Sequence, residues 1–244
     1  MLLEKFQSFR KNNCKGLAVL IDPDKADYKS LVNRVQLANK NEVDFFFLGG
    51  SMIDGNSMDT SINTIKEYSS IPIVLFPGSP LQLNSNVDAV MFLSLISGRN
   101  PDYLIGNHVI SAPYLKKMGV EVLSTGYMLV DGGIPTTASY VSNSFPLPNN
   151  KPEIAQATAM AGEMLGMSLL YLDAGSGAAM PVSNEIIQSV SLSTKAPLIV
   201  GGGITEPHEL RSAYNAGADI VVVGNAIERN AELINQLNIE KLKF

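Results

Sequence analysis

The 244-residue sequence contains one cysteine, no tryptophan and few basic residues, and its formal net charge is −5. The single cysteine, Cys14, excludes an intrachain disulfide and indicates a reducing compartment. No basic stripe is present, so we exclude nucleic acid as a partner. No apolar run approaches the roughly 20 residues that span a bilayer. We therefore expect a soluble, cytoplasmic protein without a transmembrane segment.

Short apolar strands alternate with amphipathic stretches along almost the whole chain. This alternation predicts a parallel sheet covered by helices, and eight repeats favour a closed (β/α)8 barrel over an open sheet. No linker or charge run divides the chain, so we predict one domain over residues 1–244. The predicted strands are Leu17–Ile21, Val43–Leu48, Ile71–Leu75, Ala89–Leu93, Val120–Ser124, Ser168–Leu172, Leu198–Val200 and Ile220–Val223.

The third repeat departs from this pattern between Leu75 and Ala89. Pro77, Gly78 and Pro80 are followed by several asparagine and serine residues, which leaves no room for a covering helix. A barrel without that helix has an uncovered apolar side wall, near Leu81 and Leu83. Such a groove is expected to be filled by a neighbouring subunit or to hold a long apolar ligand.

Two glycine-rich turns near the C-terminus each follow an apolar strand and lead into a helix. One turn contains Gly202 and Gly203, and the other is Gly224-Asn225. Glycine lets the backbone approach an anion closely, and the following helix directs free N–H groups toward it. In (β/α)8 barrels the loops after strands seven and eight supply the phosphate site. The two turns therefore predict a ligand that carries a phosphate.

A third turn of this kind follows the sixth predicted strand, where the chain runs Tyr171-Leu172-Asp173-Ala174-Gly175-Ser176-Gly177. Strand alternation places the side chains of Tyr171 and Asp173 on one side and that of Leu172 on the other. A phenol and a carboxylate therefore face one cavity. Three glycine turns on consecutive strands favour a polar-ligand site over purely structural loops.

Polar residues also follow the first two predicted strands. Asp22 ends the first strand, where a carboxylate points into a barrel site and suits Mg²⁺, although Asp-Pro-Asp is also good turn chemistry. Ser51 follows Gly49-Gly50 and is a ligand of the same metal, a phosphate contact or a helix N-cap. Lys25 is either a phosphate partner or a solvated side chain. The irregular stretch 131–148 after strand five is expected to be a lid or binding loop, with a flexible connector as the alternative.

Taken together, these segments resemble the geranylgeranylglyceryl phosphate synthases and their heptaprenyl relatives. The sequence looks closest to the second group of that family, which is often assembled beyond a dimer. The matching segments span nearly the whole chain in the same order, and they are Leu20–Lys25, Phe47–Ser51, Ser97–Pro101, Tyr171–Gly177, Gly201–Ile204 and Val223–Asn225.

The resemblance implies a modified (β/α)8 barrel that lacks its third covering helix. It implies transfer of a geranylgeranyl group from geranylgeranyl diphosphate to the 3-hydroxyl of sn-glycerol 1-phosphate, with release of diphosphate. It also implies a homo-oligomer, either a dimer or a hexamer, while the accepted length of the polyprenyl diphosphate stays open.

Residue roles follow from the same resemblance. Asp22 and Ser51 are implied to bind Mg²⁺, and Tyr171 and Asp173 to be catalytic. Position 173 is often Glu in this family, so proton transfer to the shorter Asp173 is either direct or through water. The implied cradle for glycerol phosphate consists of Tyr171, Leu172, Asp173, Ala174, Gly175, Ser176, Gly177, Gly202, Gly203, Gly224 and Asn225.

Two other functions are compatible with the glycine turns. One is another phosphate-binding barrel enzyme, similar to thiamine-phosphate synthase or to an isomerase. The uncovered third repeat argues against it, because an enzyme with a small substrate has no need for that groove. The other is a non-catalytic barrel that binds a phosphometabolite. The presence of both Asp22 and Asp173 argues against this second alternative.

Overall fold

The computed structural model describes residues 1–25, 27–50 and 55–244, and its strands close into a parallel barrel in sequence order. All eight predicted strands are present, so the predicted (β/α)8 fold is confirmed. The strands are β1 (Gly16–Ile21), β2 (Phe45–Leu48), β3 (Ile73–Leu75), β4 (Ala89–Leu95), β5 (Glu121–Leu129), β6 (Leu169–Asp173), β7 (Leu198–Gly201) and β8 (Ile220–Val223).

Helices of the described segments surround this barrel and close its ends. The helices are α1 (Leu2–Asn12), α2 (Tyr28–Lys40), α3 (Gly55–Tyr68), α4 (Asn107–Met118), α5 (Thr137–Val141), α6 (Pro152–Met164), α7 (Asn184–Ser193), α8 (Pro207–Ala216), α9 (Asn225–Arg229) and α10 (Leu233–Lys241). None of the helices in the described part of the chain is long and apolar enough to cross a membrane.

Alternation along the strands divides the hydrophobic residues into two layers. On β6, Leu169 and Tyr171 belong to the cluster inside the barrel, whereas Leu170 and Leu172 pack between the barrel and its helices. Successive side chains of a strand point to opposite faces, so the period-two pattern fixes which residues face inward. The prediction that Tyr171 and Leu172 face opposite sides is confirmed.

Helix α1 closes the barrel at the amino ends of the strands. The ring of Phe6 stacks on Phe45 with centroids 4.3 Å apart, inside the barrel cluster. The backbone N–H groups of Leu2 and Leu3 donate to the Glu121 carboxylate at 2.7 and 2.9 Å, which satisfies donors that the first turn of a helix leaves unpaired. A ligand cavity is therefore expected at the opposite end of the barrel, where the strands have their carboxyl ends.

The third repeat lacks its covering helix, as predicted. Between β3 and β4 the chain forms only a short 3₁₀ turn, Pro80–Gln82. Proline at position 80 removes a backbone donor, and Ser79 before it is extended, which favours a turn over a continuing helix. The outer wall of β3 and β4 is therefore open to a ligand or to α4.

Strand β5 extends five residues beyond its predicted end at Ser124. Thr125 to Leu129 continue the ladder with β6, and Tyr127 pairs with Tyr171. Glycine within a strand weakens a local strand pattern, so the sequence around Gly126 does not indicate this extension. Gly126 is instead a packing requirement, because a Cβ there would lie 2.9 Å from Met167 Sδ and 3.0 Å from Ile96 Cδ1.

Candidate active site

A polar cavity of about 410 Å³ opens at the carboxyl ends of the strands. Most of the predicted site residues line it: Asp22, Tyr171, Asp173, Gly175, Ser176, Gly177, Gly202, Gly203, Gly224 and Asn225. The side chains of Leu172 and Ala174 lie in the outer hydrophobic layer instead, so only their backbone is near this region. Ser51 lies outside the described residues.

The three glycine turns meet at one side of this cavity. Ser176 Oγ donates to Asn225 Oδ1 at 3.2 Å, which joins the turn after β6 to the turn after β8. Gly202 has a φ of 81°, and a Cβ there would lie 2.5 Å from Gly175 N and 2.7 Å from Asp173 Oδ1. Glycine at this position therefore allows two loops to converge on one small space, where backbone amides can surround an anion.

Asp173 is buried and held by two hydrogen bonds. Its Oδ1 accepts from the Gly175 N–H at 2.7 Å, and its Oδ2 accepts from Tyr127 Oη at 2.7 Å. Burial raises the pKa of Asp173, and both hydrogen bonds oppose that rise because they favour the ionised carboxylate. The side chain is thus a basic, rigidly oriented carboxylate at the floor of the cavity.

The two phenols beside Asp173 remain protonated at neutral pH. Burial raises the pKa of Tyr127 and of Tyr171 well above the ordinary value, and the negative charge of Asp173 raises both further. Tyr127 can therefore act as a hydrogen-bond donor to Asp173. The Tyr171 ring packs closely against Gly201, where a Cβ would lie 2.6 Å from the Tyr171 hydroxyl.

On the opposite side of the cavity, Asp22 forms an ion pair with Lys25. The Lys25 Nζ lies 2.9 Å from Asp22 Oδ2, and 19% of the Asp22 side chain is exposed. Glu228, on α9, lines the same cavity. Burial raises the pKa of Glu228, the charge of Lys25 opposes that rise, and the charge of Asp22 adds to it. Lys25 is thus paired with Asp22 and its charge also acts on Glu228.

The donor set around Asp22 fits Mg²⁺ bound together with a phosphorylated substrate. Asp22 and Glu228 offer hard carboxylate oxygens to one cavity. Among the described residues, no group of three or more histidine, cysteine, aspartate and glutamate side chains could hold a metal by itself. Mg²⁺ commonly binds through one or two carboxylates, waters and substrate phosphates rather than through an all-protein cage.

A mostly apolar groove continues from the polar cavity along the open wall of β3 and β4. Gly50, Phe76, Tyr127 and Ala138 line both cavities and therefore form their junction. Further along, the groove is lined by residues of β4, α4 and the segment after β3, including Leu83, Val90, Phe92, His108 and Ser111. Leu81, which was expected on this wall, is 94% exposed and does not line the groove, whereas Leu83 does.

His108 is part of the groove and not of a metal or triad site. The centroids of its ring and of the Phe92 ring lie 4.4 Å apart in an edge contact, and its buried Nδ1 has no hydrogen-bond partner among the described residues. Burial lowers the pKa of His108, so the imidazole is neutral and suits an apolar wall. His208, the other histidine, is exposed on α8.

A family comparison covers almost the whole chain, since the model of the PcrB family matches residues 10–241. The chain belongs to the PcrB family. Named relatives agree with that membership. The geranylgeranylglyceryl phosphate synthase of Spirosoma linguale is 50% identical over 231 residues, which are 95% of this chain and 93% of the relative. The enzyme of the same name from Chitinophaga pinensis is 49% identical over 235 residues, again 95% and 93%.

A solved PcrB-like structure shares the fold over its full length. It is (S)-3-O-geranylgeranylglyceryl phosphate synthase from Thermoplasma acidophilum in complex with its substrate sn-glycerol-1-phosphate. The TM-score is 0.94 at 29% sequence identity, and the alignment covers 100% of this chain and 99% of the other. This PcrB-family chain therefore shares its overall barrel fold with that enzyme.

Several residues that line this PcrB-family site were not indicated by the sequence, among them Phe76, Tyr127, Ala138 and Glu228. Tyr127 was missed because β5 was ended too early. Its inward position could have been found from the period-two pattern, since Tyr127, like Thr125 and Leu129, is an odd-numbered residue of that strand. Ala138 and Glu228 lie on the short helices α5 and α9, and no local pattern in the sequence places them at the cavity.

Proposed function

We propose that this protein transfers a geranylgeranyl group from geranylgeranyl diphosphate to the 3-hydroxyl of sn-glycerol 1-phosphate. The observation that carries the proposal is the junction at Tyr127, where a polar cavity with three glycine turns meets an apolar groove. A polar acceptor and a long hydrocarbon donor need these two environments side by side. The named relatives, which align with almost the whole of this chain, support the same reaction.

The glycine turns are proposed to hold the phosphate of the acceptor. Backbone amides after β6, β7 and β8, together with Asn225, surround the anion without a cluster of basic side chains. This agrees with the net charge of −5, because the phosphate is recognised locally. The glycerol hydroxyls then lie toward Tyr171 and Asp173.

The diphosphate of the donor is proposed to bind near Asp22 and Lys25, with its hydrocarbon tail in the groove. Asp22 and Ser51 would hold Mg²⁺, as the family resemblance implies, and the bound ion would supply charge stabilisation for the diphosphate oxygens. When the donor binds, Lys25 breaks its ion pair with Asp22 and pairs with the diphosphate instead. Each CH₂ buried in the groove contributes about 0.8 kcal/mol, so the tail supplies much of the binding energy.

Asp173 is proposed to accept the proton of the acceptor hydroxyl, directly or through one water. A raised pKa makes this buried carboxylate a stronger base than an exposed aspartate, and Tyr127 keeps it in one orientation. Tyr171 orients the glycerol beside it.

A direct assay tests the reaction. Protein and Mg²⁺ are incubated with labelled sn-glycerol 1-phosphate and, in separate reactions, with C15, C20 and C35 allylic diphosphates, followed by product chromatography. We expect an ether product with the C20 donor, and omission of Mg²⁺ should abolish it. Absence of a lipid product with every donor would contradict the proposal.

Replacement of Asn225 should weaken the binding of the acceptor but not that of the donor. Asn225→Leu keeps the side-chain volume but removes its polar atoms from the turn after β8. A hydrogen bond to a charged group contributes about 1.5–3 kcal/mol, so we expect the KM for glycerol phosphate to rise about 10- to 100-fold. The KM for the prenyl diphosphate should hardly change. Asn230→Leu, beyond the cavity, is the matched control, and equal losses for both substrates would contradict the assignment.

A bulky side chain in the groove should make the protein prefer donors with shorter hydrocarbon tails. Leu83 lines the groove, so Leu83→Trp should shift the preferred donor toward shorter chains in competition between C15 and C20 diphosphates. Leu81→Trp is the matched control, because Leu81 is 94% exposed and lies outside the groove. An unchanged preference in Leu83→Trp, or an equal shift in both variants, would show that the tail lies elsewhere.

We also propose a cytoplasmic homo-oligomer, either a dimer or a hexamer. Apolar side chains on the outer side of α4 support self-association: Val109, Ile110 and Tyr114 are 57–66% exposed. Their exposure is unusual for a helix that also lines a groove with its other side. The single free cysteine supports a reducing compartment. Sedimentation velocity measures the assembly, and a monomer at assay concentrations would contradict it.

A further inference from the structure

Three aromatic rings are grouped where the polar cavity meets the apolar groove. Phe76 follows β3, Tyr127 lies on β5 and Tyr171 on β6, and their ring centroids are 5.8 Å (Phe76–Tyr127), 5.4 Å (Phe76–Tyr171) and 5.6 Å (Tyr127–Tyr171) apart. We call these three side chains the aromatic cup. The interplanar angles are 68°, 39° and 82°, so no two rings are parallel and the group presents ring surface in several directions.

The aromatic cup occupies the position of the reacting atoms under the proposed function. Phe76 and Tyr127 line both cavities, and Tyr171 lines the polar one. A donor with its tail in the groove and its diphosphate near Asp22 has its first carbon at this junction. The acceptor hydroxyl, next to Asp173, reaches the same point. The ring group therefore lies beside the carbon at which one C–O bond breaks and another forms.

We propose that the aromatic cup stabilises positive charge on the allylic carbon during transfer, and that Phe76 is a catalytic residue of this reaction. The inference rests on the proposed prenyl transfer. As the bond between the first carbon and the diphosphate oxygen breaks, its electron pair leaves with the diphosphate and positive charge spreads over the allyl group. The electron-rich ring faces attract that charge. The acceptor oxygen then forms the new C–O bond, and its proton passes to Asp173.

Aromatic rings suit this position better than a further carboxylate would. An oxyanion in contact with the allylic carbon competes with the acceptor for it, whereas a ring attracts the charge without forming a bond. Asp173, which is hydrogen-bonded to Tyr127 of the aromatic cup, already accepts a hydrogen bond at each oxygen. Apolar ring surface also excludes water, which would otherwise capture the cation as an alcohol.

Graded fluorination of Phe76 tests the proposal. Phenylalanine analogues with one, two and three ring fluorines are incorporated at position 76, because each fluorine weakens the negative face of the ring while its shape hardly changes. We expect kcat to fall stepwise, by about 10- to 30-fold across the series, with the KM of both substrates little changed. A flat kcat across the series, or a change confined to KM, would overturn the assignment.

Phe47 provides the matched control for packing effects. It is buried inside the barrel, its ring lies 6.5 Å from that of Tyr171, and it lines neither cavity. If fluorination acted through packing on Tyr171, the same series at Phe47 would lower kcat in parallel with the Phe76 series. That parallel loss would also overturn the proposal. Circular dichroism confirms that each variant is folded.

A binding measurement separates this proposal from the proposed function. A prenyl-chain ammonium compound that mimics the allylic cation and its neutral carbon isostere are titrated into the protein in the presence of inorganic diphosphate and Mg²⁺. We expect the wild type to prefer the ammonium compound about tenfold or more and the preference to decline with Phe76 fluorination. Equal affinities for the ammonium compound and its neutral isostere would overturn the role proposed for the aromatic cup, even if prenyl transfer is observed. Absence of transfer in the wild type would instead overturn the proposed function.

Discussion

Asp22→Ala is expected to lower kcat by about a thousandfold while the protein remains folded. Asp22 is the carboxylate at the end of β1 that faces the polar cavity and the Mg²⁺ of the proposed reaction. One unit charge pair at about 4 Å contributes roughly 4 kcal/mol at an effective dielectric constant of 20, which is about three decades of rate if it acts only in the transition state. Steady-state kinetics with saturating Mg²⁺ measures the loss.

A neighbouring residue gives the control for this variant. Asp24 belongs to the same turn, but its carboxylate accepts a hydrogen bond from Ser57 and does not line the cavity. Asp24→Ala should therefore retain most of the activity. Calorimetric titration of Mg²⁺ with inorganic diphosphate should show weaker binding in Asp22→Ala alone. Near-wild-type turnover of Asp22→Ala would contradict the assignment of Asp22 as a metal ligand.

Asp173→Asn is expected to lower kcat about 10²- to 10⁴-fold, the range usual for the loss of a general base. The fold should persist, because the amide oxygen can accept from the Gly175 N–H. Its NH₂ group can donate to Tyr127 Oη, which is able to accept as well as donate. Asp173→Glu should retain substantial activity, since the family that this sequence resembles often has glutamate at this position. Unchanged turnover in Asp173→Asn would exclude the carboxylate as the base.

Asp131→Asn is the matched control for that substitution. Asp131 follows β5 at the same end of the barrel, is exposed, and does not line the polar cavity. Its Oδ1 accepts from the Gly133 N–H at 2.9 Å, and the amide oxygen of asparagine can do the same. We therefore expect its kcat to match that of the wild type.

The pH dependence of the reaction provides a second test of Asp173. The base must be ionised, so the rate should fall as the pH drops through its pKa, which burial raises. Tyr127→Phe removes a hydrogen bond that favours the ionised carboxylate, so the pKa of Asp173 should rise further. The acid limb of the profile should then move to higher pH, while Tyr103→Phe should leave it in place. An acid limb unchanged in Tyr127→Phe would contradict this coupling.

Local patterns in the sequence were sufficient for the barrel and for most of the cavity lining. Short apolar runs that alternate with amphipathic stretches predicted the eight strands, and Pro77 with Pro80 predicted the absence of the third covering helix. The three glycine turns were placed at the strand ends, where they line one cavity. All of these features depend on the conformational preferences of a few consecutive residues, and such preferences are visible in any sequence.

The contacts that make the site chemically specific depend on residues far apart in the chain. Tyr127 reaches Asp173, which is 46 residues away, only because β5 continues past Gly126 and pairs in register with β6. Phe76 meets Tyr171 across the mouth of the barrel. The junction between cavity and groove likewise depends on α5, a short helix that packs Ala138 over both. Strand register and barrel closure decide these distances, and no local pattern of residues encodes them.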